Sequence, residues 1–135
     1  MLYKRLLFAL IALMTQQAHS SKVHCIGYVK TVGVDSNGFV VVNMGRMVNG
    51  DNYQLSHIKL CSLQREVKTK GGTTVSPSIC NNYLGMLQTQ KATGKYISFF
   101  FDEEVAKELT LHPRSPACSH PTEWDLVIPY YVEAK

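Results

Sequence analysis

The side chains able to carry chemistry are few, and their spacing limits what they can do. Four thiols stand at Cys25, Cys61, Cys80 and Cys118. A zinc site wants close pairs such as Cys-x-x-Cys, and none is present. The nearest arrangement, Cys118-Ser119-His120, leaves one residue between ligands, too tight for chelation within one turn. His24, His57 and His112 are scattered, with no pair at helical i,i+4 spacing. No metal and no cofactor is therefore expected. An even set of cysteines reads instead as two disulfides, for which three connectivities are open. With all four crosslinked, no thiol remains for catalysis.

The acids Asp102-Glu103-Glu104 suggest a cation site or a general acid, but no paired acid accompanies them, and solvent-facing carboxylates at a strand end are the plainer reading. Arg46, Arg65 and Arg114 show no spacing that completes a nuclease. Gly-x-Ser-x-Gly, His-Glu-x-x-His and Gly-x-Gly-x-x-Gly are all missing. No catalytic residue is assigned, and the protein is read as not an enzyme. Arg65, Lys68 and Lys70 precede Gly71-Gly72 and form a basic cluster that could meet an acidic partner or phosphate. Without interleaved aromatics it reads as a solvated, mobile loop over 64–75. Tyr53, Tyr96, Phe100, Tyr130 and Tyr131 could stack on a sugar or fill a subunit interface, core packing being the plain alternative.

The first twenty residues read as an export signal, not as part of the fold. Lys4 and Arg5 lead an uninterrupted apolar run over 6–14, Gln16 and Gln17 end it, and Ala18 and Ser20 put small residues where signal peptidase accepts them. As a helix that run covers about 14 Å, against a hydrocarbon core of roughly 30 Å. No later stretch is long and apolar enough to span a membrane. The expected product is one domain over 21–135, secreted or periplasmic, where disulfides form and persist. Losing Lys4 and Arg5 lowers the formal charge from +4 to +2. That small excess, with export, argues against a nucleic-acid partner.

The chain that must position these residues reads as mainly β with one helix. Residues 23–34 are rich in β-branched side chains. Asp35-Ser36-Asn37-Gly38 is the strongest hairpin signal, because Asn-Gly favours positive φ at both positions. A return strand follows over 39–44, then a second turn at Asn49-Gly50-Asp51-Asn52. The third strand, 53–61, changes parity between Leu55 and Ile58, which a bulge near His57 reconciles. Ser76 is placed to cap a helix that starts at Pro77 and ends at Gly94. Ile79, Cys80, Tyr83, Leu84, Met86 and Leu87 form its broad apolar face. In 95–101, Ile97, Phe99 and Phe101 alternate with Tyr96, Ser98 and Phe100, so one face meets the core and the other meets a partner or the helix. Residues 103–123, with Pro113, Pro116 and Pro121, read as an ordered loop with one turn of helix. The last strand, 124–132, carries Pro129, which implies an edge position or a bulge.

Three strands, a helix, a strand, a loop and a strand are the element order of the OB-fold. That is a five-stranded Greek-key barrel with its helix between strands three and four. An open antiparallel α+β sheet is the alternative. In the barrel, strand one begins where strand four finishes, and strand three finishes where the helix begins. This geometry pairs Cys61 with Cys80 and Cys25 with Cys118.

A family resemblance lies across the same elements. Leu60-Cys61-Ser62-Leu63 is followed by a variable loop and a helix ending Lys91-Ala92-Thr93-Gly94-Lys95. This leads into Tyr96-Ile97-Ser98-Phe99-Phe100-Phe101, with Val32-Gly33 as a weaker match in the first hairpin. The run, about 53–101, resembles the B subunit of subtilase cytotoxin and its typhoid-toxin and pertussis-like relatives, exported bacterial OB-fold proteins. The resemblance implies a pentameric ring, binding of sialylated glycans and docking of a catalytic A subunit. It departs at two places. The family's sugar-contacting serine falls near Val23 and His24, so no sugar-binding residue is carried over. Cys80 stands where the toxin subunits tend to have an aromatic residue. The expectation is an exported bacterial, non-enzymatic binding protein. Its rivals are a monomeric periplasmic protein-binding or inhibitor domain and, less favoured, a small hydrolase.

Overall fold

The computed structural model describes residues 23–47, 55–69, 71–106 and 125–135. The expected export signal over 1–20, the expected turn at 49–52, Tyr53, Lys70, Cys118 and Trp124 lie outside the described residues, as does most of the expected loop over 103–123.

β1 (Val23–Val34) turns into β2 (Phe39–Met47), three residues longer than its pattern suggested. Asp35 organises the turn: its Oδ1 accepts from the amides of Asn37 and Phe39, both at 2.9 Å. Only Gly38 takes positive φ, at 81°, where the Asn-Gly pattern implied two such residues. The Asp35 carboxylate supplies an Asx-type turn that holds Asn37 outside the left-handed region. A Cβ on Gly38 would come within 2.6 Å of Gln64 Cγ, so close packing adds to the preference for glycine.

β3 (Ile58–Ser62) pairs antiparallel with β2. The parity change falls where it was expected. His57 has φ of 49°, and Leu55 on one side and Ile58 and Leu60 on the other are all fully buried. The 64–75 segment corrects the loop expectation: β4 (Val67–Lys68) and β5 (Thr74–Val75) form a hairpin. Buried Val67 and Val75 anchor it, and Thr69 Oγ1 accepts from Thr73 N at 2.8 Å across its tip. Two valines and a threonine outweigh the polar composition, because the valines enter the main core and the threonine satisfies the backbone of the tip.

α1 (Pro77–Thr93) begins and ends at the expected caps. Ser76 Oγ accepts from Ile79 N at 3.2 Å, and Gly94 adopts φ 65°. Its buried stripe is narrower than the sequence suggested: Cys80, Tyr83, Leu87 and Gln90, with Leu84 and Met86 half-buried and Ile79 40% exposed. The stripe packs on the sheet, and α1 touches β1, β3 and the last strand. β6 (Ile97–Phe101), α2 (Glu103–Ala106) and β7 (Tyr131–Ala134) complete the order. The one helical turn expected after the aromatic strand is α2.

The strands form one five-stranded antiparallel sheet in the order β3-β2-β1-β6-β7. β1 is shared: Val23 to Gly27 pair with β6, while Gly27 to Val34 pair with β2. Its register slips between Gly27 and Val29 and again between Val29 and Thr31, so the strand coils as it passes from one partner to the other. The ladders do not close, which corrects the expectation of a five-stranded barrel to an open sheet. The expected last strand over 124–132 is split. Leu126 makes a lone parallel bridge to Lys59, and the ladder with β6 begins only at Tyr131. Pro129, buried between the two, has no N–H to continue a ladder.

Cys61 at the end of β3 is bonded to Cys80 in the first turn of α1, with Cα atoms 5.6 Å apart. This is the expected pair. Cys25 is also disulfide-bonded, and Cys118, its expected partner, lies outside the described residues. At the other end of α1, the buried Gln90 donates through Nε2 to the carbonyls of Tyr96 and Lys135. One carboxamide thereby joins the helix, the start of β6 and the end of β7.

Candidate functional site

Alternation along β6 divides its aromatic residues between two environments. Ile97, Phe99 and Phe101 are fully buried in the core. Tyr96, Ser98 and Phe100 point the opposite way, where Tyr96 and Phe100 are half-buried and Ser98 is fully buried beneath them. Antiparallel register then builds rows across three strands. Ile26, Ser98 and Glu133 are direct neighbours, and Phe100 stands opposite Tyr131. Tyr28 of β1 closes on Tyr96, with ring centroids 4.2 Å apart. At the other end Phe100 lies 5.4 Å from Tyr131 and 6.3 Å from Tyr130. All three pairs are tilted.

The outer face is thus an aromatic pair and an aromatic trio with the Ile26–Ser98–Glu133 row between them. Four residues of strand separate Tyr96 from Phe100, about 14 Å at roughly 3.4 Å per residue. Tyr131 is 50% exposed, the most exposed large apolar side chain among the described residues. Ser98 Oγ is buried and has no hydrogen-bond partner. An unsatisfied buried hydroxyl is costly unless something supplies its partner, and it can both donate and accept. Glu133 carries the one carboxylate of the row, 3.3 Å from Lys135 Nζ. Rings of this kind cover the C–H faces of flat ligands or of a protein partner.

Of the aromatics singled out from sequence, the structure gathers Tyr96, Phe100, Tyr130 and Tyr131 on this face. Tyr28 was missed. Its signal was available, because it alternates with buried Cys25, Gly27 and Val29 along β1. The acids sort differently. Asp102 is structural: Oδ1 accepts from Val105 N at 2.9 Å, capping α2, and Oδ2 accepts from Gly71 N at 3.2 Å, holding the β4–β5 tip. Arg65 and Lys68 are exposed, as a solvated cluster should be. Arg65 Cζ nevertheless lies 5.0 Å from the centroid of the Phe39 ring, and Lys59 Nζ lies at the same distance while pairing with Asp35 at 3.7 Å. Sequence reasoning also missed a hydroxyl–imidazole contact, Ser56 Oγ to His57 Nδ1 at 3.2 Å. It sits at the left-handed break before β3, away from the aromatic face. Among the described residues no group of His, Cys, Asp and Glu is placed to hold a metal ion, and no helix is long and apolar enough to cross a membrane.

Tyr83 links α1 to the edge of this face. Burial, and then the neighbouring Tyr131 phenol, push its hydroxyl above the ordinary value of 10.0. The native state therefore holds this proton more tightly than the unfolded chain does. That contribution is complete below about pH 10 and is lost as pH rises beyond it. Tyr83→Phe is expected to flatten this alkaline loss, read as the difference in urea midpoint between about pH 9 and about pH 11. Equal slopes in the two proteins would count against the coupling.

No family model, no curated protein and no solved structure matches this chain. Its class rests on its own geometry: a disulfide-stapled, mainly β domain with one core helix and an aromatic outer sheet face.

Proposed function

We propose that this protein is an exported, non-catalytic binding module of the toxin B-subunit type, with its aromatic sheet face as the recognition surface. The observation that carries the reading is that face: Tyr131 half-exposed beside Phe100. Two features support an OB-type strand arrangement beneath it. Three consecutive strands, β1 to β3, lie side by side, with β6 returning beside β1, an order of Greek-key kind. The parallel contact at Leu126 brings the segment ahead of β7 against β3, through Lys59 N to Asp125 O at 2.9 Å and Val127 N to Lys59 O at 2.8 Å. That single bridge spans the two edges of the open sheet, the place where an OB-type arrangement brings its last strand against its third. A carbohydrate ligand, a pentameric ring and a catalytic A subunit follow from the resemblance to the subtilase-cytotoxin B subunit. The disulfides and the signal-like first twenty residues support export.

The test combines sedimentation of the 21–135 chain with a glycan array. A ring-sized species that retains glycans is expected, with retention falling at least about tenfold, or about 1.4 kcal/mol, in Tyr131→Ala. A monomer at micromolar concentration with an empty array would favour the monomeric inhibitor reading instead.

A further inference from the structure

Away from the sheet face, the outer side of α1 carries a feature that core packing leaves unexplained. Gly85 sits in the middle of the helix, with negative φ and nothing within 4 Å of the place its Cβ would occupy. Neither a turn nor a close internal contact requires glycine there, and after proline it is the residue least suited to a helix interior. Its effect is to leave a low floor. Around that floor lies a groove of about 550 Å³, lined by Asn81, Asn82, Met86, Thr89 and Gln90 and bounded by Ala134 of β7. None of these side chains is charged. Three are carboxamides and one is a hydroxyl: Asn81 and Asn82 are exposed and each carries two donors and an acceptor, while the amide hydrogens of Gln90 are already given to backbone carbonyls. Gln90 is 4% exposed, and its bonds to the Tyr96 and Lys135 carbonyls hold it in one orientation.

We infer that this groove is a second binding site, selective for an uncharged, hydroxyl-rich ligand such as a neutral saccharide. Hydroxyl groups donate and accept at once, and carboxamides match them on both counts. An acidic ligand would bring a charge that the groove does nothing to compensate. A bare glycine backbone is what lets a flat ring approach the helix closely. The site does not depend on the aromatic face, so the two can fail separately.

Side-chain amide resonances of Asn81, Asn82 and Gln90 in the full 21–135 chain read the binding directly. Lactose, maltotriose and chitobiose serve as neutral probes, and sialyllactose as the charged one. Shifts with at least one neutral sugar, and no tighter binding of sialyllactose than of lactose, are expected. Gly85→Leu fills the floor while improving helix propensity, so it should fold at least as stably and weaken binding at least tenfold. Tyr131→Ala should leave these resonances responding as before. Silence toward all three neutral probes, tighter binding of the sialylated one, or an unchanged response in Gly85→Leu would overturn the inference.

Discussion

Replacing Cys61 and Cys80 together by alanine is expected to lower the unfolding free energy by on the order of 3 kcal/mol, from the chain-entropy effect of a loop this long. The two are 19 residues apart in sequence, and both sulfurs are fully buried, where β3 ends and α1 begins. Without the link, the unfolded chain regains the freedom of the whole 64–75 segment, and the helix loses its covalent tether to the sheet. Urea titration of the 21–135 chain under non-reducing conditions measures the change. Peptide mapping of the same sample should show Cys25 joined to Cys118. An unchanged midpoint in the double variant would mean that the staple adds nothing to packing.

Leu87→Ala should be comparably damaging, at about 2–5 kcal/mol, the range for truncating a buried leucine in a close-packed core. Leu87 is fully buried on the helix stripe that meets the sheet, between Tyr83 and Gln90. Removing its isobutyl group leaves a cavity that the rigid β sheet cannot collapse to fill. Ile79→Ala is the internal control. Ile79 was expected on the same face, but it is 40% exposed. It should lose well under half as much, on the order of 1 kcal/mol or less. Thermal unfolding of the two variants side by side checks the contrast. Equal losses would place Ile79 in the core and contradict the narrow stripe.

Local signals were legible wherever one residue's chemistry decides the backbone. Ser76, Pro77 and Gly94 mark the helix to the residue, because caps depend on side chains next to them in sequence. The parity break at His57 was readable because alternation counts residues, and an extra one shows. The 64–75 hairpin was hidden: Gly71-Gly72 and three charges look like a loop, and the burial of Val67 and Val75 comes from neighbours far along the chain. The aromatic face was half legible. Alternation within 95–101 separated Tyr96 and Phe100 from the core positions. It did not tell which strand would bring Tyr28, or that Ser98 Oγ would be left without a partner.

The amino-acid sequence by itself determined the long strands, the one long helix and its caps, and the element order that brings Cys61 and Cys80 together. These follow from short-range preferences and from an element order that leaves few ways to bring strand and helix ends together. Tertiary structure alone decided the open sheet, the split at Pro129 and the gathering of five aromatic rings on one face. Those depend on register between strands up to a hundred residues apart, and a shift of a single residue would turn every one of those side chains to the opposite face.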